Sequence, residues 1–345
     1  MSKHRTNLDR PQRRPWAERT RSFVFAPLPL SIAWLANPLA RAGLVAAGVP
    51  GLALAGPQGG SVVAGAATIS NPDGSTTLIN QTSQRAALDW HSFSIGSNEY
   101  VQFIQPGTSS VALNRVVGGD PSSILGSLSA NGQVFLVNPS GVYFGSGATV
   151  DVAGLLATTL NIDNDDFMAG NYVFQRNLVA PDGASVVNDG VIAAREGGYV
   201  VLAGDYVENS GIVEARLGTV ALAAGSAMTL DVAGDGLINF TVDGASVSQL
   251  AGVNNAGELY ADGGRVIMTA KVAANLVHAA VNNSGRVQAQ GVLEQDGAIY
   301  LVADGGDITL SGELDVSGPS GDGGYVRVRS TDDVTLTSGS RIDAT

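Results

Sequence analysis

The sequence predicts an all-β protein, a β-solenoid of stacked coils, and three observations predict it. The first is composition. The 345 residues are 44% hydrophobic but only 14% charged and 6% aromatic, with 45 glycines and lysine only at Lys3 and Lys271. Small, β-branched and glycine residues carry such a chain, and long Leu/Ala/Glu/Lys helical runs are absent. The second is a recurring Asn-x-Gly unit followed by alternating apolar residues. It stands at Asn188-Asp189-Gly190, Asn209-Ser210-Gly211, Asn255-Ala256-Gly257 and Asn283-Ser284-Gly285. The third is a glycine pair that opens a short strand, as in Gly197-Gly198-Tyr199-Val200, Gly263-Gly264-Arg265-Val266 and Gly323-Gly324-Tyr325-Val326.

Each part of the repeat has a physical reading. Runs of four to six Val, Ile, Leu and Thr suit short strands. Gly and Asn tolerate positive φ and turn the chain between them. The first two Asn-x-Gly units lie 21 residues apart, the length of one solenoid coil. The later gaps of 46 and 28 predict two coils and one coil with an insertion. A sandwich or propeller needs no asparagine at coil spacing, and a βαβ architecture needs amphipathic helices between strands.

Charge divides the chain. Residues 1–55 hold 8 Lys+Arg against 2 Asp+Glu, whereas residues 56–345 hold 11 against 29. The leader is arginine-rich to residue 22, then apolar and broken by Pro27, Pro29, Pro38, Arg41 and Pro50. It ends in Ala53-Leu54-Ala55, a small-x-small cleavage pattern. Residues 1–55 therefore read as an extended Sec-type signal peptide cleaved after Ala55. The prolines and Arg41 argue against a membrane anchor. The acidic body offers no basic face in sequence, so a nucleic-acid partner is not expected. Without cysteine there is no disulfide or thiolate chemistry.

Residues 56–175 are dense in ordered phrases. They run Leu88-Asp89-Trp90-His91-Ser92-Phe93-Ser94-Ile95-Gly96, Val101-Gln102-Phe103-Ile104-Gln105-Pro106 and Ala112-Leu113-Asn114-Arg115-Val116. There follow Ile124-Leu125-Gly126-Ser127-Leu128, Val134-Phe135-Leu136-Val137-Asn138-Pro139-Ser140-Gly141-Val142 and Val152-Ala153-Gly154-Leu155. This order resembles the filamentous-haemagglutinin-type N-terminal secretion domain, also called the haemagglutination activity domain. The Trp-x-x-Phe-x-Ile phrase is most similar to the branch of the high-molecular-weight adhesins. Two departures stand out. The family's Asn-Pro-Asn-Gly turn is here Asn138-Pro139-Ser140-Gly141, and an earlier Asn-Pro-Asn-Leu turn is missing.

The resemblance implies a right-handed parallel β-helix with an N-terminal β cap. It divides the chain into a leader (1–55), a two-partner-secretion domain (56–175) and continuing β-helix repeats (176–345). It also implies Sec export, then recognition by an outer-membrane transporter with POTRA domains, and a secreted or surface-bound adhesin of a Gram-negative cell. Host-cell glycans or receptors are its implied targets. Asn138, Pro139, Ser140 and Gly141 form a tight turn that is either a coil corner or part of partner recognition. Trp90, Phe93, Val101, Phe103, Asn114 and Arg115 either pack under the cap or meet the transporter.

Some β-helices are polysaccharide lyases or hydrolases, and glycoside hydrolysis needs two carboxylates at a fixed separation in a cleft. The acidic clusters Asp163-Asn164-Asp165-Asp166 and Asp332-Asp333 sit in turn-like contexts and read as solvated corners. The body's two histidines, His91 and His278, lie in no nucleophile motif. Asp163 and its neighbours offer hard oxygen ligands, but the calcium-binding β-roll repeat is missing. The expectation is a non-enzymatic protein without metal or cofactor. An N-terminal part of a cytolysin or contact-dependent toxin is a further alternative.

Overall fold

The computed structural model describes residues 56–345 except 178–180, 182, 233–238, 274–275, 277–278, 293–295 and 320–322. The proposed cleavage residues Ala53 and Ala55, and His278, lie outside the described residues. None of the described helices is long and apolar enough to cross a membrane.

Short strands wind into a right-handed parallel β-helix with three faces. One complete coil shows the order. Ser185–Asn188 lies on one face, and Val191–Gly204 runs along the next two, bending between them. Tyr206–Asn209 then returns to the first of these faces directly above Ser185–Asn188, in parallel register. Register places like upon like. One inward column runs Val186, Val207, Val253, Val281, Ile308. Another runs Ile192, Val213, Leu259, Val287, Leu314. A third runs Leu202, Leu222, Met268, Leu301. All of these are buried. Stacking at the ~4.8 Å strand spacing lets each coil bury its neighbour's apolar row, so no disulfide is needed.

The first coils are closed by antiparallel strands. Ser61–Ala64 pairs antiparallel with Arg85–Trp90, and Ala67–Ser70 pairs antiparallel with Thr76–Gln81. These two short strands cover edges that would otherwise stay unpaired.

A four-stranded antiparallel sheet stands outside the helix. It is made of Leu160–Asn161, Tyr172–Arg176, Ala227–Asp231 and Asn239–Gly244. It covers outward side chains of one face, where Phe135, Leu156, Tyr199, Val201 and Ala221 pack with Phe167, Tyr172 and Phe174 in a second core. Strands in this region are therefore apolar on both sides, as Gln133–Val137 shows.

Three expectations are corrected. The 46-residue gap is one coil, because Asn209 stacks directly on Asn255. Its excess length holds the Ala227–Asp231 and Asn239–Gly244 hairpin, which leaves the helix to join the outer sheet. Asp163–Asp166 is not a plain corner. Asp163 caps a short helix, Asn164–Ala169, by accepting from Asp165 N, and Phe167 is buried beneath it. The Asn-x-Gly glycines do not have positive φ. They are required by close approach: a Cβ on Gly211 would lie 2.1 Å from Gly190 O, and one on Gly257 would lie 2.2 Å from Gly211 O.

Candidate functional site

Asn138 begins the corner after strand Gln133–Val137, and its residue type follows from the bonds it makes. It is fully buried. Its Oδ1 accepts from Ser140 N at 2.9 Å, and its carbonyl accepts from Gly141 N at 3.0 Å, closing the turn. Its Nδ2 donates to Asp120 O and to Ser122 Oγ, both at 3.0 Å, tying the corner to the coil before it. Pro139 presets φ, and Gly141 has φ +119°, a value that L residues rarely adopt. Pro139 and Ser140 form the half-exposed tip.

Trp90, Phe93, Val101 and Phe103 all lie inside the first coils, at most 1% exposed. The Trp90 and Phe93 rings meet edge to face at 5.4 Å. Trp90 Nε1 donates to Asn114 Oδ1 at 3.0 Å, and Asn114 Nδ2 donates to Ala112 O at 3.2 Å. Gly60 lets the N-terminal segment cross the indole, since a Cβ there would lie 2.3 Å from Trp90 Cζ3. Arg115 points outward instead. Its guanidinium donates to Ile162 O at 2.8 Å and to Asn164 Oδ1 at 2.7 Å, with Asp89 at 3.5 Å. It thereby pins the capped helix to the coil, at the edge of a cleft of 570 Å³ that Asn161 and Arg176 also line.

The structure thus gathers Trp90, Phe93, Val101, Phe103 and Asn114 into one interior cluster. It places Arg115 on the outer face and the Asn138 turn at a corner. Sequence reasoning missed several polar anchors. Arg85 donates to the Tyr172 hydroxyl at 3.0 Å and to Met168 O at 3.4 Å, a second pin on the excursion. Asp205, buried, pairs with Arg176 at 3.3 Å and accepts from Ser246 Oγ at 2.7 Å. Gln105 donates to Gln81 Oε1 at 3.0 Å inside another corner. The four repeated asparagines, by contrast, carried a legible signal. Among the described residues, no three His, Cys, Asp or Glu side chains converge as a metal site.

Comparison with known proteins bears on this arrangement. The TPS secretion domain family matches residues 53–316. A heme/hemopexin-binding protein of Haemophilus influenzae strain Rd is 36% identical over 271 residues, covering 76% of this chain. A second Haemophilus influenzae heme/hemopexin-binding protein is 34% identical over 285 residues. The chain spans 29% of the length of each. The crystal structure of the HMW1 secretion domain from Haemophilus influenzae superposes with a TM-score of 0.75 at 32% identity. That match covers 84% of this chain and 74% of the other. A wound β-helix capped by antiparallel strands, matched along most of its length, identifies the chain as a member of the two-partner secretion domain family, secreted to the cell surface or beyond.

Proposed function

We propose that residues 56–175 are the part of a secreted adhesin-type exoprotein that its cognate outer-membrane transporter recognises, through POTRA domains, after Sec export directed by residues 1–55. Residues 176–345 extend the β-helix outward as a stalk for whatever the mature protein binds. On this reading the chain works by binding rather than by catalysis, toward host-cell glycans or receptors. Support comes from one observation above others: the family match over residues 53–316, with relatives named for binding.

Within that domain the Asn138 turn has two separable parts. Buried Asn138 holds the corner, and the half-exposed Pro139 and Ser140 present it. The test is secretion from a Gram-negative host with and without the transporter. Transporter-dependent release of folded protein is the expected result. Release unchanged by loss of the transporter overturns the reading. Pro139→Ala/Ser140→Ala should then lower release without lowering stability if the tip is recognised. If only Asn138→Ala acts, and stability falls with release, the turn is a corner alone.

A further inference from the structure

Residues 56–58 lie against the first coil. Gly56 and Pro57 are buried. Gln58 N donates to Ser92 O at 2.8 Å, and its carbonyl accepts from His91 N at 2.9 Å. Gly56 has φ +74°, in the left-handed region, and a Cβ there would lie 3.2 Å from Thr77 Oγ1. Backbone and space therefore both call for glycine. Gly56 N donates to Glu99 Oε2 at 2.7 Å. The same oxygen accepts from Gly96 N at 2.6 Å, and Glu99 N donates to Gly96 O at 2.9 Å. The carboxylate is thus fixed in a tight turn just before strand Tyr100–Ile104.

Glu99 is half-buried, and no described arginine, lysine or histidine forms an ion pair with it. By contrast the buried carboxylates Asp205 and Asp315 meet Arg176 and Arg286. The donors to Glu99 among the described residues are two backbone N–H groups. One of them belongs to Gly56, the residue directly after the Ala53-Leu54-Ala55 cleavage pattern.

We propose that the Glu99 carboxylate is a binding site for the α-ammonium group of the mature chain's own N-terminus, made when a signal peptidase cuts after Ala55. Hydrolysis adds water across the Ala55–Gly56 peptide bond. Ala55 leaves with the new carboxylate, and Gly56 keeps the nitrogen as an α-ammonium, its usual form below about pH 8. That nitrogen already lies at the distance of a charge-assisted bond, so Gly56 has no need to move. Cleavage converts a neutral amide donor into the cation that Glu99 otherwise lacks. The first coil is tightened only after the leader is gone. The proposal rests on the reading of residues 1–55 as a signal peptide and is independent of transporter recognition.

The test uses the processed chain, collected from the periplasm or the medium, so it needs no transporter. N-terminal sequencing should read Gly56-Pro57-Gln58, and any other N-terminus overturns the proposal. The α-amine is then acetylated in urea near neutral pH, where it reacts ahead of Lys271, and the chain is refolded. Acetylation rebuilds the neutral N–H that the uncleaved chain has at this atom, and so removes the charge without removing the donor. Urea unfolding should show a folding constant about fivefold lower. Glu99→Gln keeps an acceptor but no charge, so acetylation should leave it unchanged, and any effect through Lys271 appears equally in both proteins. A second variant leaves Glu99 untouched: an alanine inserted between Ala55 and Gly56 carries the ammonium away from Oε2. It too should lower the folding constant about fivefold. Equal loss on acetylation in the parent and Glu99→Gln overturns the proposal, as does an insertion variant as stable as the parent.

Discussion

Trp90 Nε1 donates to Asn114 Oδ1 at 3.0 Å where neither side chain reaches solvent. The pair lies on adjacent rungs, because strand Arg85–Trp90 stacks in parallel on Val111–Val116. A buried indole N–H without a partner costs about 1–3 kcal/mol. Asn114→Ala should therefore destabilise the domain by about 2–4 kcal/mol, counting the cavity. Trp90→Phe added to it should cost less than the sum, with a coupling of about 1–2 kcal/mol. Urea unfolding of the four proteins completes the cycle, and strict additivity would show that the bond contributes nothing.

The asparagine ladder makes a sharper prediction. Asn188, Asn209, Asn255 and Asn283 are fully buried, and each passes an amide hydrogen to the next at 2.7–2.8 Å. Asn209 is central, so Asn209→Ala strands both the Asn188 donor and the Asn255 acceptor. The expected cost is about 3 kcal/mol. Asn282→Ala breaks an outward-facing bond to Asn254 at 2.9 Å and should cost under about 1 kcal/mol. Thermal melts of the two variants decide the matter, and equal shifts would refute a special role for the inner ladder.

Glycine stacking is testable in the same way. At Gly257 an added methyl meets Gly211 O at 2.2 Å and Ser210 C at 2.6 Å, both backbone atoms of the coil before it. Neither can rotate away, so the coils must separate. Gly257→Ala should cost about 3 kcal/mol. Gly107→Ala meets nothing within 4 Å and should stay within about 0.5 kcal/mol of the parent. Denaturant midpoints compare the two.

These residues also show how far the sequence alone could reach. The repeat was legible because Asn188, Asn209, Asn255 and Asn283 stack at one position per coil, with a glycine two residues on. The 46-residue gap misled because the inserted strands Ala227–Asp231 and Asn239–Gly244 alternate apolar and polar residues as coil strands do. Periodicity cannot distinguish a hairpin that leaves the helix from a coil that stays in it. Helix Asn164–Ala169 is too short to show a period, although Asp163 and Gly170 cap it by ordinary rules. The tethers of Arg85, Arg115 and Arg176 join residues far apart in the chain, so no local pattern announces them. In the turn Asn138-Pro139-Ser140-Gly141 the local chemistry was readable, but its ties to Asp120 and Ser122 were not.

Tyr199 predicts a pH response. It faces outward from the helix but lies beneath the outer sheet, and its hydroxyl donates to Gln133 Oε1 at 2.6 Å. Burial, with a smaller contribution from Tyr172, raises its pKa well above the ordinary 10.0. In the unfolded chain the phenol ionises near its usual value, while the folded chain keeps the proton. Stability is thus intact below about pH 10 and declines as pH rises beyond it. Tyr199→Phe cannot ionise there and should flatten that decline, at a cost of about 1 kcal/mol near neutrality for the lost hydrogen bond. Urea midpoints at neutral and strongly alkaline pH read both effects. An unchanged alkaline slope in the variant would assign the decline to other groups.

Asp205 anchors the outer sheet from within the helix. Its side chain is 3% exposed, meets Arg176 Nε at 3.3 Å and accepts from Ser246 Oγ at 2.7 Å. Arg176 ends the outer-sheet strand Tyr172–Arg176, and Asp205 stands at the bend between Val191–Gly204 and Tyr206–Asn209. Removing one member of a buried pair strands the other, so Asp205→Ala should cost about 3 kcal/mol, the low end for such pairs because Arg176 is partly solvated. Ser246→Ala leaves the ion pair in place and should cost about 1 kcal/mol. The location of the damage matters more than its size. If Asp205 holds the outer sheet to the coils, amide hydrogen exchange in Asp205→Ala should quicken first in Tyr172–Arg176 and Ala227–Asp231. The inner coil strands Ser185–Asn188, Gly252–Asn255 and Ala279–Asn283 should stay protected. Uniform loss of protection would mean that the outer sheet and the helix unfold as one unit.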